Sequence, residues 1–162
     1  MKAEKLRDKH PQAGEFVSLM KEIFPHTLVA EGQAIRWLLV INPKAGGFSI
    51  RSRWLKHRAI LHDYVQKAKA NPLRVDCGPW GHSPHDDGVL LTAGPGDAGK
   101  AVAEWTDAEE RGKEKAPFCL IVTAGGDGTS LEVLSALYRA PENVRERFAV
   151  LRLPLGTGND GA

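Results

Sequence analysis

Apolar runs that stop at glycines set the terms for what this chain can fold into. Four stretches, Ile35–Ile41, Val89–Thr92, Phe118–Thr123 and Phe148–Leu153, are apolar nearly throughout instead of alternating with polar residues. Strands that read this way are covered on both faces, as in parallel sheets. Helical periods lie between them. Trp54, Leu61, Val65 and Ala68 recur through Arg51–Ala70, and Ala98, Ala101, Val102 and Trp105 through Asp97–Ala108. Val133, Leu134 and Leu137 form the inward stripe expected of Thr129–Arg139. Strand, helix, strand, helix in this order predicts an α/β, Rossmann-like, three-layer fold: a parallel sheet with right-handed crossovers and helices on both faces. Residues 1–34 read as an N-terminal extension with a short helix over Glu15–Phe24 stopped by Pro25, and 35–162 as the α/β domain. Asn71–Gly88 reads as a loop around a weak strand at Leu73–Cys77, and Asp107–Pro117 as a charged, exposed segment.

Composition narrows the class further. With 42% apolar and 26% charged residues over 162 positions, the chain uses the amounts typical of a globular domain. The longest unbroken apolar run, Trp37–Ile41, is far short of the ~20 residues a membrane-spanning helix needs. The opening MKAEKLRDKH has no apolar core of a secretory signal, and two cysteines, Cys77 and Cys119, make no disulfide framework. A cytoplasmic setting is therefore expected. Charge is uneven: Arg36 to Arg74 holds nine Lys/Arg against one acid, Asp63. Such a stretch suits phosphates, nucleic acid or an anionic membrane surface, and equally a solvated helix face.

Three glycine-rich turns follow the apolar strands. They are Asn42-Pro43-Lys44-Ala45-Gly46-Gly47, Gly125-Gly126-Asp127-Gly128-Thr129 and Gly156-Thr157-Gly158-Asn159-Asp160. In an open parallel sheet the carboxyl ends of the strands line one crevice, where ligands bind. Glycines let backbone come close to a bulky anion, so several amides can converge on phosphate oxygens. A helix beginning near Thr129 adds roughly half a positive charge at its N-terminus.

The turns resemble those of the diacylglycerol kinase catalytic domain family, which includes sphingoid-base kinases. The family's pattern is Asn-Pro with glycines after the first strand, Gly-Gly-Asp-Gly-Thr with a helical Glu-Val, and Pro-Leu-Gly-Thr-x-Asn-Asp. Here these are Asn42-Pro43 to Gly47, Gly125–Thr129 with Glu132-Val133, and Pro154–Asp160. Thr92 ahead of Gly96-Asp97-Ala98 matches a fourth element, so the resemblance spans roughly residues 35–160. It implies a kinase using ATP and Mg²⁺ and transferring the γ-phosphate to a lipid hydroxyl such as that of diacylglycerol or a sphingoid base. Asn42 through Gly47, Thr92, Gly125 through Thr129, Glu132, Gly156, Thr157 and Asn159 would bind the nucleotide. Asp127 and Asp160 would orient magnesium through water. Asp127 is the one internal candidate for a catalytic base. The resemblance puts the base and the lipid site in a second, largely β domain, absent from these residues, so residues 1–162 are expected to turn over no substrate alone. It also implies a lipid acceptor, and no nucleic-acid partner is expected. The basic face of Arg51–Ala70, with Arg51, Arg53, Lys56, Arg58 and Lys67, suits peripheral contact with the inner face of an anionic membrane, the alternative being a solvated helix.

Other patterns compete. Gly94-Pro95-Gly96-Asp97-Ala98-Gly99-Lys100-Ala101 nearly spells a Walker A loop, but Ala101 stands where a hydroxyl should hold magnesium. Cys77, His82 and His85 supply three ligands where structural zinc takes four. Gly-Gly-Asp-Gly turns also serve NAD kinase-like soluble-metabolite kinases. A non-catalytic nucleotide-sensing module is the third reading.

Overall fold

The strand Ile35–Ile41 (β1) organises the molecule, whose computed structural model describes residues 8–27, 34–71, 77–80, 87–112 and 118–156. On one side β1 pairs in parallel along its whole length with β4 (Phe118–Gly125), from Ile35↔Phe118 to Ile41↔Ala124. On the other side two short strands share its edge. β2 (Cys77–Pro79) pairs with Ile35–Trp37, and β3 (Val89–Leu91) with Leu39–Ile41. β5 (Phe148–Pro154) pairs in parallel with the far edge of β4. Helices among the described residues are α1 (Pro11–Thr27), α2 (Gly46–Ser49), α3 (Arg51–Ala70), α4 (Asp97–Arg111), α5 (Asp127–Arg139) and α6 (Glu142–Arg145).

The continuous apolar runs are explained by two cores, one on each face of the sheet. Because strand side chains alternate, Ile35, Trp37, Leu39 and Ile41 join Leu120, Val122 and Ala124 beneath α1 and α3. Leu38 and Val40 join Cys119 and Ile121 beneath α4 and α5. The α/β architecture read from the sequence, a parallel sheet flanked by helices, is thus the architecture observed.

Several local expectations change. β2 starts at Cys77, where the weak strand was expected to end, and residues 72–76 lie outside the described ones. The N-terminal helix runs past Pro25, which sits inside its last turns. Phe16, Met20 and Phe24 are buried in the same core as Trp37, each worth about 1.5–3 kcal/mol of apolar burial. Glu15 pairs with Arg58 and Glu22 with Lys69, fastening α1 to α3. β5 is not fully covered on both faces: Leu151 is 42% exposed, although Ala149 and Leu153 on the same face pack against the α1–α3 core. Leu134 points outward at 45% exposure; the inner stripe of α5 is instead Ser130, Val133, Ala136 and Leu137. The charged segment after Asp107 is helical to Arg111 and not all exposed. Glu109, half-buried, accepts from Arg147 at 2.9 Å and from the indole of Trp105 at 3.3 Å.

Candidate functional site

Topology opens a crevice between β1 and β4. From β1 the chain leaves through α3 toward β2 and β3. From β3 it returns through α4, on the opposite face, to β4 on the other side of β1. Connections that part in this way leave a gap above the carboxyl ends of the two strands, the usual ligand position in open α/β sheets.

The three glycine turns meet there. The Asn42 amide donates to the Ala124 carbonyl at 2.9 Å, and that of Gly47 to the Leu155 carbonyl at 2.7 Å. A Cβ on Gly125 would stand 2.8 Å from Thr129 Oγ1 and 3.2 Å from Asn42 Cβ. One on Gly156 would stand 2.7 Å from Gly126 Cα. Glycine at 125 and 156 is therefore what lets the turns close on one another. Ala45, Gly46 and Gly47 are buried in this contact. Within the first turn, Asn42 Oδ1 accepts from the Lys44 amide at 3.0 Å and fixes the bend.

A cleft of about 300 Å³ opens beside this junction. Asn42 and Lys44 line it from the first turn, Thr92 to Pro95 from the loop after β3, and Gly128, Thr129 and Glu132 from α5. Thr92 also donates its hydroxyl to the Ile41 carbonyl at 3.4 Å, which ties the loop after β3 to the end of β1. Asn42, Lys44, Thr92, Gly128, Thr129 and Glu132 were the expected nucleotide contacts that fall on the cleft wall. Pro43, Ala45, Asp127 and the glycines at 46, 47, 125, 126 and 156 do not line it. Thr157, Asn159 and Asp160 lie outside the described residues.

The N-terminus of α5 is where the cleft has chemistry to offer. The helix begins at Asp127, two residues earlier than its periodicity suggested, and among the described residues no side chain caps it. Its first amides have no intrahelical acceptor. A Cβ on Gly128 would meet nothing within 4 Å, and one on Gly126 only Gly156 Cα at 3.8 Å. Among the described residues nothing covers the backbone at Gly128. Ser130 and Thr123, both buried, share a hydroxyl contact at 3.1 Å that pins the first turn of α5 to β4. Asp127 is exposed and its Oδ1 accepts from Arg152 Nη2 at 2.6 Å. Sequence reading passed over Arg152, whose only signal was a charge inside an apolar strand.

The Walker-like turn is built differently. Asp97 Oδ2 accepts from the amides of Ala93 at 2.7 Å and Gly94 at 3.0 Å. Glu132 Oε1 accepts from the amide of Gly96 at 2.9 Å. These hydrogen bonds, that from Gly94 foremost, hold the Asp97 carboxyl below its ordinary range. Two amides of this loop, those of Gly94 and Gly96, are thereby already engaged. Lys100 does not line the cleft.

Among the described residues no cluster of three His, Cys, Asp or Glu side chains can hold a metal, and His82 and His85 lie outside them. Cys119, buried under α4, has its thiol pushed up to about 12 by burial and then by Glu109, so it is no nucleophile.

Residues 84–162 match a protein-family model. It is that of the diacylglycerol kinase catalytic domain. The match bears out the resemblance carried by the second and third glycine turns. The matched stretch holds β3, α4, β4, α5 and β5. It leaves out the Asn42–Gly47 turn, which the diacylglycerol kinase resemblance also included; the fold brings that turn onto the matched part through Ala124 and Leu155. No curated protein matches the chain, and no solved structure does.

Proposed function

We propose that this cleft holds ATP and that the chain is the nucleotide-binding portion of a lipid kinase, one that passes the γ-phosphate of ATP to a lipid hydroxyl such as that of diacylglycerol or a sphingoid base. The observation that carries the reading is Gly128. It stands in the first turn of α5, on the cleft wall, where alanine would meet no atom and would favour the helix. Close approach of a phosphate to backbone amides explains a glycine at such a place. Asn42, Lys44, Thr92 and Thr129 surround it with an amide, an ammonium and two hydroxyls, donors that suit phosphate and ribose.

Magnesium fits here only as an ion carried by the nucleotide, since among the described residues the cleft wall holds one carboxylate, Glu132, already engaged by the Gly96 amide, with Asp127 beside it, and Mg²⁺ keeps most of its waters. When bound, it neutralises phosphate charge in the transfer, which asks the protein for placement and electrostatics more than covalent chemistry. Asp127 suits an orienting role better than that of a base, because Arg152 engages one of its oxygens. Glu132 serves the site by holding the loop that walls it.

Gly128→Ala is the test. The variant should melt no lower than the parent, with a helix gain of up to about 1 kcal/mol, while its affinity for ADP with magnesium, read by calorimetry, falls at least tenfold. An equally tight Gly128→Ala protein would sink the reading. An acceptor screen with diacylglycerol, a sphingoid base and NAD, on the chain joined to any lipid-binding domain, separates a lipid kinase from a soluble-metabolite kinase.

A membrane contact fits the outer flank of α3. Arg58 and Lys69 are taken by α1, but Lys56 stands on the same flank as Ile60 and Tyr64, which are 55% and 53% exposed. Each basic residue near an anionic surface is worth about 1 kcal/mol. Among the described residues no helix is long and apolar enough to cross a membrane, so the contact proposed is peripheral. Co-sedimentation with vesicles that ignores both phosphatidylserine content and salt would contradict it.

A further inference from the structure

Arg152 is the charged residue of an otherwise apolar strand, Phe148–Pro154. In the register of β4 and β5 it sits opposite Thr123. Thr123 contacts Ser130 in the first turn of α5, so Arg152 rises on the α5 side of the sheet near its carboxyl end. There its Nη2 donates to Oδ1 of Asp127, the first residue of α5, at 2.6 Å. The two side chains are 36% and 58% exposed. Pairs this open contribute only about 0–1 kcal/mol, so stability is a weak reason for placing a guanidinium at this point.

Its surroundings supply a better one. The amides at the start of α5 are uncapped among the described residues, a Cβ on Gly128 would meet none of them within 4 Å, and Gly128 and Thr129 line the cleft beside which Asp127 and Arg152 stand. An anion that sits on those amides sits beside the carboxylate that Arg152 already reaches. The planar fork of arginine matches two phosphate oxygens as well as it matches a carboxylate. We propose that Arg152, which stands beside the cleft and not on its wall, is a phosphate-binding residue, held by Asp127 in the nucleotide-free protein and passed to a phosphate oxygen seated on the start of α5 when nucleotide binds. Two anions thus compete for one guanidinium. Once Arg152 turns to the phosphate, the Asp127 carboxylate is released to the cation that accompanies the nucleotide. The inference rests on the nucleotide reading of the cleft.

Calorimetry with ADP and with pyrophosphate, in EDTA and then with magnesium, separates the two. In EDTA, where no metal bridges, Arg152→Ala should bind ADP about tenfold more weakly than the parent, and Arg152→Lys should recover part of the loss. Asp127→Asn should bind more tightly in EDTA, because the competing carboxylate is gone, and more weakly with magnesium. Matching melting curves for all three variants show that the fold is kept. Parent-like binding by Arg152→Ala in EDTA, or weaker binding by Asp127→Asn in EDTA, would overturn the role of Arg152 and leave the nucleotide reading standing. A parent protein that binds neither ADP nor pyrophosphate under either condition would remove the nucleotide reading, and the role of Arg152 with it.

Discussion

Two glycine-rich turns in this chain follow a strand and open a helix, and both place an aspartate at the first helical residue. Ahead of α4, Asp97 folds back and takes the amides of Ala93 and Gly94, while Glu132 takes that of Gly96. Ahead of α5, Asp127 turns outward to Arg152 and leaves the amides to the cleft. The first turn has its loop amides tied back and acts as a wall, although α4, like α5, has no side-chain cap among the described residues. The second is open and acts as a seat. Which of the two a glycine turn becomes depends on where its nearest carboxylate points, a property of the tertiary structure more than of the spelling.

The contrast is broken most directly by Gly126→Ala set beside Lys100→Ala. A Cβ at 126 has room in the protein, its nearest neighbour being Gly156 Cα at 3.8 Å, so the fold should persist. Yet it obstructs a phosphate seated on α5, and ADP affinity should fall by about two orders of magnitude, roughly 2.7 kcal/mol. Lys100→Ala should bind like the parent. If calorimetry shows the loss at Lys100 instead, the two turns have exchanged roles.

A smaller effect is expected at Glu132. Replacing it with alanine leaves the Gly96 amide, which is solvent-exposed, to water, so the cost in stability should be about 0.5–1.5 kcal/mol by chemical denaturation. Nucleotide affinity should drop only severalfold, through loosening of the cleft wall. A hundredfold loss with no change in stability would make Glu132 a direct ligand contact. The smallest effect follows from Asp97. Its folded carboxyl titrates below its ordinary value, so its contribution is present above that range and fades as pH falls through the folded value. Amide exchange of Ala93 and Gly94 should therefore accelerate only on the acid side of the ordinary carboxylate range. Protection that is constant down to that limit and beyond would show that the Asp97 hydrogen bonds do not close the loop.

Much of the framework was legible because burial on both faces writes itself into sequence as unbroken apolar runs. Ile35–Ile41 matches its strand end to end, and Arg51–Ala70 its helix. What escaped has a common cause. Leu134 lies next to Val133 and near Leu137 in sequence, but the buried face of α5 is Thr129, Ser130, Val133, Ala136 and Leu137, which leaves Leu134 at its margin, 45% exposed. Pro25 reads as a stop, yet the packing of Phe24 on Trp37 at 5.1 Å continues the helix past it. The partnerships of Glu109 with Arg147 and of Asp127 with Arg152 join residues 38 and 25 positions apart, and no local pattern announces them. In the site, the turns were readable from glycine spacing, whereas the direction of Asp97 and the engagement of Glu132 with Gly96 were not.

The tryptophans are distributed so that each layer has its own indoles. Trp37 and Trp54 belong to the α1–α3 side, and Trp80 and Trp105 to the α4 side, all at most 4% exposed. Trp80 and Trp105 stack with centroids 5.1 Å apart and planes 19° from parallel. Trp54 instead lies 5.7 Å from Phe48, one residue beyond Gly47 of the first turn. The chain therefore carries built-in optical probes. Fluorescence from Trp54 reports on the turn that closes over the sheet, and the coupled circular dichroism of the stacked pair reports on the opposite layer, so the two faces can be followed separately without adding a label.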